Sequence, residues 1–175
     1  MTNVRLYGSP PYKAAVVHGG PGALGTVAAI ARELAKDFGI LEPLQTQGTI
    51  AALLEELDEV IATHCGKPIS LIGHSWGAWL VFMYAARYPQ RVKKIILVGS
   101  GPFETHYAKA ISPNRMRHLS TEEQKEYNAL ITALNSKREN DSDRLMGRLG
   151  ELVDKTDNYC TVEIESDRID QLPAD

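Results

Sequence analysis

Through the first hundred residues, short unbroken apolar runs alternate with stretches whose apolar positions recur at helical spacing. Residues 14–17 are apolar throughout and stop at His18-Gly19-Gly20-Pro21-Gly22, which predicts a buried strand closed by a glycine-rich turn. Between residues 26 and 38, Val27, Ile30, Ala31 and Leu34 share one helical face, with Gly39 as the stop. Residues 40–44 predict a weak strand, because Pro43 has no N–H to offer one neighbour. Thr49 opens a helix to about His64, with Leu53, Leu54, Leu57, Val60 and Ile61 on its inner face and Gly66 as its cap. Residues 68–72 form the next apolar strand, and Gly73-His74-Ser75-Trp76-Gly77 turns from it into a helix over residues 78–87. Residues 92–98 supply a further apolar strand, closed by Gly99-Ser100-Gly101-Pro102. Strands apolar on both faces, alternating with helices over short connections, predict an α/β fold: a parallel sheet flanked by helices.

After Phe103 the pattern changes. Ser120-Thr121-Glu122-Glu123 is a capping box that opens a helix to about Asn135. Residues 137–143 are a polar linker, and a second amphipathic helix follows, with Leu145, Met146, Leu149, Leu152 and Val153 on its inner face. No further strand signal of comparable strength occurs. The chain is therefore expected to divide into a sheet-bearing core over residues 1–104 and a helical, cap-like or lid segment over residues 105–175.

Composition narrows the function classes. With 175 residues the chain can bury one core. A net charge of -3 gives no special attraction to nucleic acid or to an anionic membrane. No apolar run approaches the ~20 residues that span a bilayer, and the first residues lack the apolar centre of a signal peptide, so a cytoplasmic protein is expected. Cys65 and Cys160 make neither a disulfide framework nor a CxxC pair and read as ordinary buried or half-buried thiols.

The strongest chemical signal is Gly73-His74-Ser75-Trp76-Gly77, which fits G-x-S-x-G directly after a predicted strand and at the start of a predicted helix. There the glycines make room for a very tight turn, and the serine hydroxyl stands above the sheet at the positive end of the helix dipole. A glycine-bracketed serine in an ordinary turn is the plainer alternative; the strand-to-helix context favours a nucleophile. The second signal is the loop His18–Gly22. Attack on a carbonyl needs N–H donors aimed at the oxyanion, and Gly20 and Trp76 are the candidates, since Pro21 has no N–H. A phosphate-holding glycine loop is the alternative, although neither GxGxxG nor a Walker pattern is present.

In this order and spacing the two motifs resemble those of the α/β-hydrolase superfamily, and HGGPG together with SWG is most similar to its proline iminopeptidase branch. The resemblance covers residues 12–104 and reaches the tail only as the start of a helical cap. It implies an incomplete α/β-hydrolase-type sheet, a serine nucleophile at Ser75 forming an acyl-enzyme, and oxyanion donors at Gly20 and Trp76. It further implies hydrolysis of an ester or amide bond in a small-molecule substrate, with no metal and no cofactor. His74 departs from the glycine usual in that branch, and an acyltransferase on the same machinery stays open.

In such chains the acid and then the histidine follow the serine on later strands. The resemblance therefore implies that these residues hold the nucleophile half and part of the cap, with weak or no turnover alone. Within the chain, Glu104 is a candidate acid and His106 and His118 are candidate bases; each also reads as a solvent-facing cap residue. His18 reads as a brace for the oxyanion loop, His74 belongs to the nucleophile's strand, and His64 suits a helix C-terminus. A sheet without its last strands has an exposed edge, which predicts self-association. The rival to the enzyme is a non-catalytic binding or interaction module on the same scaffold. Trp76, Trp79, Tyr84 and Phe103 read either as an apolar pocket or as core packing.

Overall fold

The computed structural model describes residues 3–20, 23–136 and 142–159. They form two compact units, one running to Gly101 and the other beginning at Pro102. Cys160, Pro21 and Gly22 lie outside the described residues.

In the first unit five strands make one sheet: β1 (Val4–Tyr7), β2 (Tyr12–Val17), β3 (Gly39–Pro43), β4 (Ile69–His74) and β5 (Val92–Val98). Their order is β1-β3-β2-β4-β5. From β3 to β5 all neighbours are parallel, with Ala14 opposite Ile40 and Ser70, and Leu71 opposite Ile95. β1 is the exception. It pairs antiparallel with β3, Val4 against Pro43 and Tyr7 against Ile40, so the sheet is mixed rather than wholly parallel. The buried Glu42 carboxylate helps fix this edge: the Tyr7 hydroxyl donates to it at 2.5 Å, and the Arg5 guanidinium lies 3.5 Å away. Burial together with this carboxylate pushes the Tyr7 phenol up to about 12.

β3 is stronger than its proline suggested. It is buried along its whole length and paired on both sides, because Pro43 is its last residue and its missing N–H falls at the end of the ladder.

Three helices follow the parallel strands: α1 (Ala28–Leu34), α2 (Ile50–His64) and α3 (Trp76–Arg87). α1 is shorter than the spacing predicted, since residues 35–38 leave the helix in turns. Gly39 starts β3 instead of capping α1; a Cβ there would lie 2.5 Å from the Ser9 carbonyl oxygen. The Thr49 hydroxyl caps α2 by accepting from the Ala52 amide at 3.3 Å, and extended Cys65, rather than Gly66, ends it.

Alternation along the strands divides the core between the two faces. Ala15, Val17, Leu41 and Leu71 pack with α2 and α3, while Ala14, Val16 and Ile40 pack with α1. Each fully buried aliphatic side chain contributes about 1.5–3 kcal/mol relative to exposure. Because the chain passes from β3 over β2 to reach β4, the strand order reverses around β2 and β4. In open parallel sheets a crevice opens at that reversal, beyond the carboxyl ends of the strands.

The described residues of the second unit are helical: α4 (Thr105–Ala108), α5 (Ile111–Arg117), α6 (Thr121–Asn135) and α7 (Ser142–Asp157). The capping box of α6 forms as the sequence predicts, with Ser120 and Glu123 exchanging hydrogen bonds. Leu119, Tyr127, Leu130 and Leu152 make a small core, with Leu145, Leu149 and Val153 against it. Met146 is a correction: it is 58% exposed, because it stands at the rim of the α7 stripe, about 100° round the helix from Leu145. Ion pairs add cross-links, Arg115 with Asp157 at 2.5 Å, Arg148 with Glu126 at 2.7 Å and Lys155 with Glu123 at 2.6 Å. The sequence had not revealed α4 and α5, since four and seven residues are too few to set up a period.

Candidate active site

The turn from β4 into α3 is built by backbone contact. Ser75 has φ 53° and ψ -117°, and it is the only non-glycine residue with positive φ among the described residues. Such a conformation costs about 1–3 kcal/mol and persists only where its surroundings enforce it. The enforcement is visible on both sides of the serine. Its N–H donates to the Val98 carbonyl at 2.9 Å, and its carbonyl accepts from Ala78 at 3.0 Å.

The flanking glycines are steric necessities. A Cβ on Gly73 would lie 2.3 Å from the Gly77 carbonyl oxygen, and one on Gly77 would lie 2.4 Å from that of Val17. The first contact closes the turn, and the second presses the start of α3 against the end of β2. Ser75 itself is exposed. It precedes Trp76, whose N–H belongs to the first turn of α3 and so has no partner within the helix.

The glycine loop after β2 meets this turn. A Cβ on Gly19 would sit 3.2 Å from the Ser75 Cβ and 3.4 Å from the His74 Nδ1, so any side chain there would press on the serine and its neighbour. Gly20 has open space on its Cβ side, with nothing within 4 Å.

His18 is fully buried at the root of the loop. The Gln45 amide donates to its Nε2 at 3.1 Å, which assigns the proton to Nδ1, and Nδ1 donates to the Gly19 carbonyl at 2.7 Å. Burial holds this imidazole below its ordinary pKa, against smaller opposing effects from the Gly19 carbonyl and the Glu56 charge. His18 is thus a neutral ring with both nitrogens engaged.

Gln45 is the residue that sequence reasoning missed. Its side-chain NH2 donates to the His18 carbonyl at 3.1 Å, while its side-chain oxygen accepts from the Trp76 indole at 3.1 Å. It therefore ties the root of the glycine loop to the first residue of α3. The segment behind it is held by Glu56 of α2, which accepts from the Thr46 amide at 3.1 Å, from the Thr46 hydroxyl and from the Asn3 side chain. A glutamine two residues past a strand carries no local signature, so no pattern could have pointed to it.

The aromatic candidates separate. Trp76 and Trp79 meet edge to face at 6.0 Å, and the Trp79 indole donates to the Gly101 carbonyl at 3.2 Å. Tyr84 is core, fully buried with its hydroxyl on Asp58 at 2.8 Å, and Phe103 is 50% exposed in the second unit. His64 ends α2 and meets Tyr12 edge to face.

Glu104, His106 and His118 all belong to the second unit. Glu104 precedes α4 and lies 3.4 Å from the His106 Nδ1, both side chains exposed, and His118 follows α5. Among the described residues no group of three histidine, cysteine or carboxylate side chains could hold a metal ion, and no helix is long and apolar enough to cross a membrane.

A family model described as the alpha/beta hydrolase fold matches residues 16–121. Cis-3-alkyl-4-alkyloxetan-2-one decarboxylase of Shewanella oneidensis is 30% identical over 56 residues, which are 31% of this chain and 18% of that protein. Among solved structures, VinJ superposes with a TM-score of 0.66 at 19% identity, over 82% of this chain and 54% of VinJ. Proline iminopeptidase of Mycobacterium smegmatis superposes with a TM-score of 0.61 at 18% identity, over 83% of this chain and 55% of that enzyme. At these identities the structural likeness speaks for the fold alone. The chain spans about half the length of these two structures and less than a fifth of the decarboxylase. The matched segment runs from β2 through the glycine loop and the β4–α3 turn to beyond β5, and the chain belongs to the alpha/beta hydrolase fold family.

Proposed function

We propose that this chain carries the nucleophile of a serine hydrolase acting on an ester or amide bond of a small molecule. Ser75 attacks the carbonyl carbon, the amides of Gly20 and Trp76 receive the oxyanion, and the leaving group departs to give an acyl-enzyme that water cleaves. The observation that carries this reading is the enforced left-handed backbone of Ser75, an exposed residue between β4 and α3 with the glycine loop against its Cβ. Strain of that kind clusters at functional sites.

The base in this reading is not His18, whose nitrogens are both engaged, and Ser75 turns over weakly unless a histidine reaches its hydroxyl. The exposed Glu104–His106 pair favours a second reading, in which that carboxylate and imidazole serve as the acid–base couple. The outer edge of β5, where Ile96, Leu97 and Val98 are exposed, is in this proposal a surface for self-association.

The test treats the purified chain with a fluorophosphonate and an aryl-ester panel, alongside Ser75→Ala and His106→Ala. A phosphonyl adduct on Ser75 with slow, Ser75-dependent turnover supports the first reading. Fast turnover lost in His106→Ala moves the base to the Glu104–His106 pair. No adduct and no turnover would leave a non-catalytic binding module as the function.

A further inference from the structure

His18, Glu42 and Glu56 are buried polar side chains of the first unit. Glu42 secures β1 and His18 sits at the root of the glycine loop, but Glu56 lies on α2 and takes no part in the Ser75 chemistry described above. Next to the exposed Glu55, it stands with Leu53, Leu57 and Val60 on the inner face of the helix. A carboxylate is costly to bury unless hydrogen bonds replace its water.

The groups that replace the water are specific. Both carboxylate oxygens accept from the Thr46 amide, at 3.1 and 3.3 Å, and one of them also accepts from the Thr46 hydroxyl and the Asn3 side chain. Thr46 and Gln45 present consecutive amides to different partners. The Thr46 N–H goes to Glu56, and the Gln45 N–H goes to the His18 Nε2 at 3.1 Å. Glu56 therefore fixes the turn whose other amide keeps Nε2 bare and the ring proton on Nδ1. That proton holds the Gly19 carbonyl at 2.7 Å. The Gly19 carbonyl and the Gly20 N–H belong to one planar trans peptide and point in opposite directions. Holding the carbonyl towards the imidazole thus aims the Gly20 N–H away from it.

We propose that Glu56 is a positioning residue for the Gly20 oxyanion donor, acting through the Thr46–Gln45 turn and the tautomer of His18. The inference rests on the hydrolase reading, in which the Gly20 N–H receives the oxyanion. When the turn shifts, Nε2 loses its donor and can carry the ring proton in place of Nδ1. A bare Nδ1 then faces the Gly19 carbonyl, acceptor against acceptor, and the Gly19–Gly20 peptide turns away. The donor leaves its aim although neither glycine has changed.

The test variant is Glu56→Gln, which keeps the size and one oxygen but sets an NH2 group against a donor. Ring nitrogen NMR reads the His18 tautomer, backbone NMR reads the Gly20 amide, and fluorophosphonate labelling reads the rate at Ser75. The parent should show a neutral His18 ring with its proton on Nδ1. In Glu56→Gln the ring signals should move towards the other tautomer and the Gly20 amide should shift. Phosphonylation should slow about tenfold, less than the roughly 10²–10³ lost with a whole oxyanion donor.

Glu55→Gln, on the exposed side of the same helix, should change none of these signals. Val60→Ala opens a cavity under α2 and should lower the urea midpoint while leaving tautomer and rate as in the parent, which separates positioning from lost stability. Should Glu56→Gln fail to fold, Thr46→Val removes one donor to the carboxylate and should move the same signals in the same direction. Unchanged ring signals, an unchanged rate, or equal slowing in Val60→Ala would each overturn the proposal. A parent that takes no phosphonyl group would sink the hydrolase reading instead, and the ring and Gly20 signals would still decide whether Glu56 sets the loop.

Discussion

The Trp76 indole donates its N–H to the side-chain oxygen of Gln45 at 3.1 Å. Since the other end of the same carboxamide holds the His18 carbonyl, one side chain sets the spacing between the glycine loop and the start of α3. Gln45→Leu leaves a half-buried indole N–H and a buried carbonyl without that partner, at a cost of about 1–3 kcal/mol. Gln45→Glu keeps the acceptor for the indole but sets a charged carboxylate oxygen against the His18 carbonyl, acceptor facing acceptor, so it should cost at least as much. Urea unfolding orders the three proteins. In the hydrolase reading, Gln45→Leu also slows phosphonylation of Ser75 more than it lowers the midpoint would suggest.

Ser75→Gly separates strain from function. Glycine adopts a positive φ without penalty, so this variant should be more stable than the parent by about 1 kcal/mol while losing all Ser75-dependent chemistry. A thermal or urea midpoint that falls instead would mean that the serine side chain makes a stabilising contact outweighing its backbone cost.

The glycines can be graded by the space around them. Gly77→Ala forces a Cβ to within 2.4 Å of a backbone oxygen and should destabilise by about 3 kcal/mol or more, or abolish folding. Gly66→Ala meets nothing within 4 Å and should stay within about 0.5 kcal/mol of the parent. Soluble yield and urea midpoints of the pair make the comparison.

His18 gives the unit an acid sensitivity. The folded chain keeps this ring neutral, with its pKa depressed by burial, whereas the unfolded chain protonates it below about pH 6.5. Its stability contribution is therefore complete above that pH and falls as the pH drops through it, by at most about 1.4 kcal/mol per pH unit. Urea midpoints measured from neutral to mildly acidic pH should fall more steeply for the parent than for His18→Gln, provided the variant folds.

The edge of β5 should govern self-association. Leu97 is exposed and, among the described residues, lies on a strand with a neighbour on one side only. A lysine there adds charge to a flat apolar edge, a common device against edge-to-edge pairing. Sedimentation velocity should find larger species in the parent at high concentration and fewer in Leu97→Lys. Identical profiles would remove this edge from consideration.

Much of this arrangement could be read before any coordinates, for physical reasons that differ by residue. The runs around Val16 and Leu71 announce strands because a strand buried on both faces is apolar along its middle, and the run around Ile95 shows the same pattern although Ile96, Leu97 and Val98 are exposed. The β4–α3 turn is legible because Gly73 and Gly77 are demanded by contacts four residues apart, within one local motif. The Ser120–Glu123 box is local in the same way. What escaped notice depends on distant partners. Gln45 matters through His18 and Trp76, 27 and 31 residues away in sequence. The direction of β1 is set by Glu42 and its neighbours on β3, and Met146 differs from Leu145 only by which side of the stripe it occupies. Pro43 misled because the rule against strand prolines is a rule about position within the ladder.

The close approaches at Gly19, Gly73 and Gly77 have one more consequence. Two separate segments of chain meet at Ser75 through surfaces that carry no side chain, so the local geometry is written in absences. Substitutions there should be ranked by bulk and not by polarity. One added methyl group, the mildest change chemistry offers, would be felt more sharply at these positions than a reversal of charge on the outer surface of the sheet.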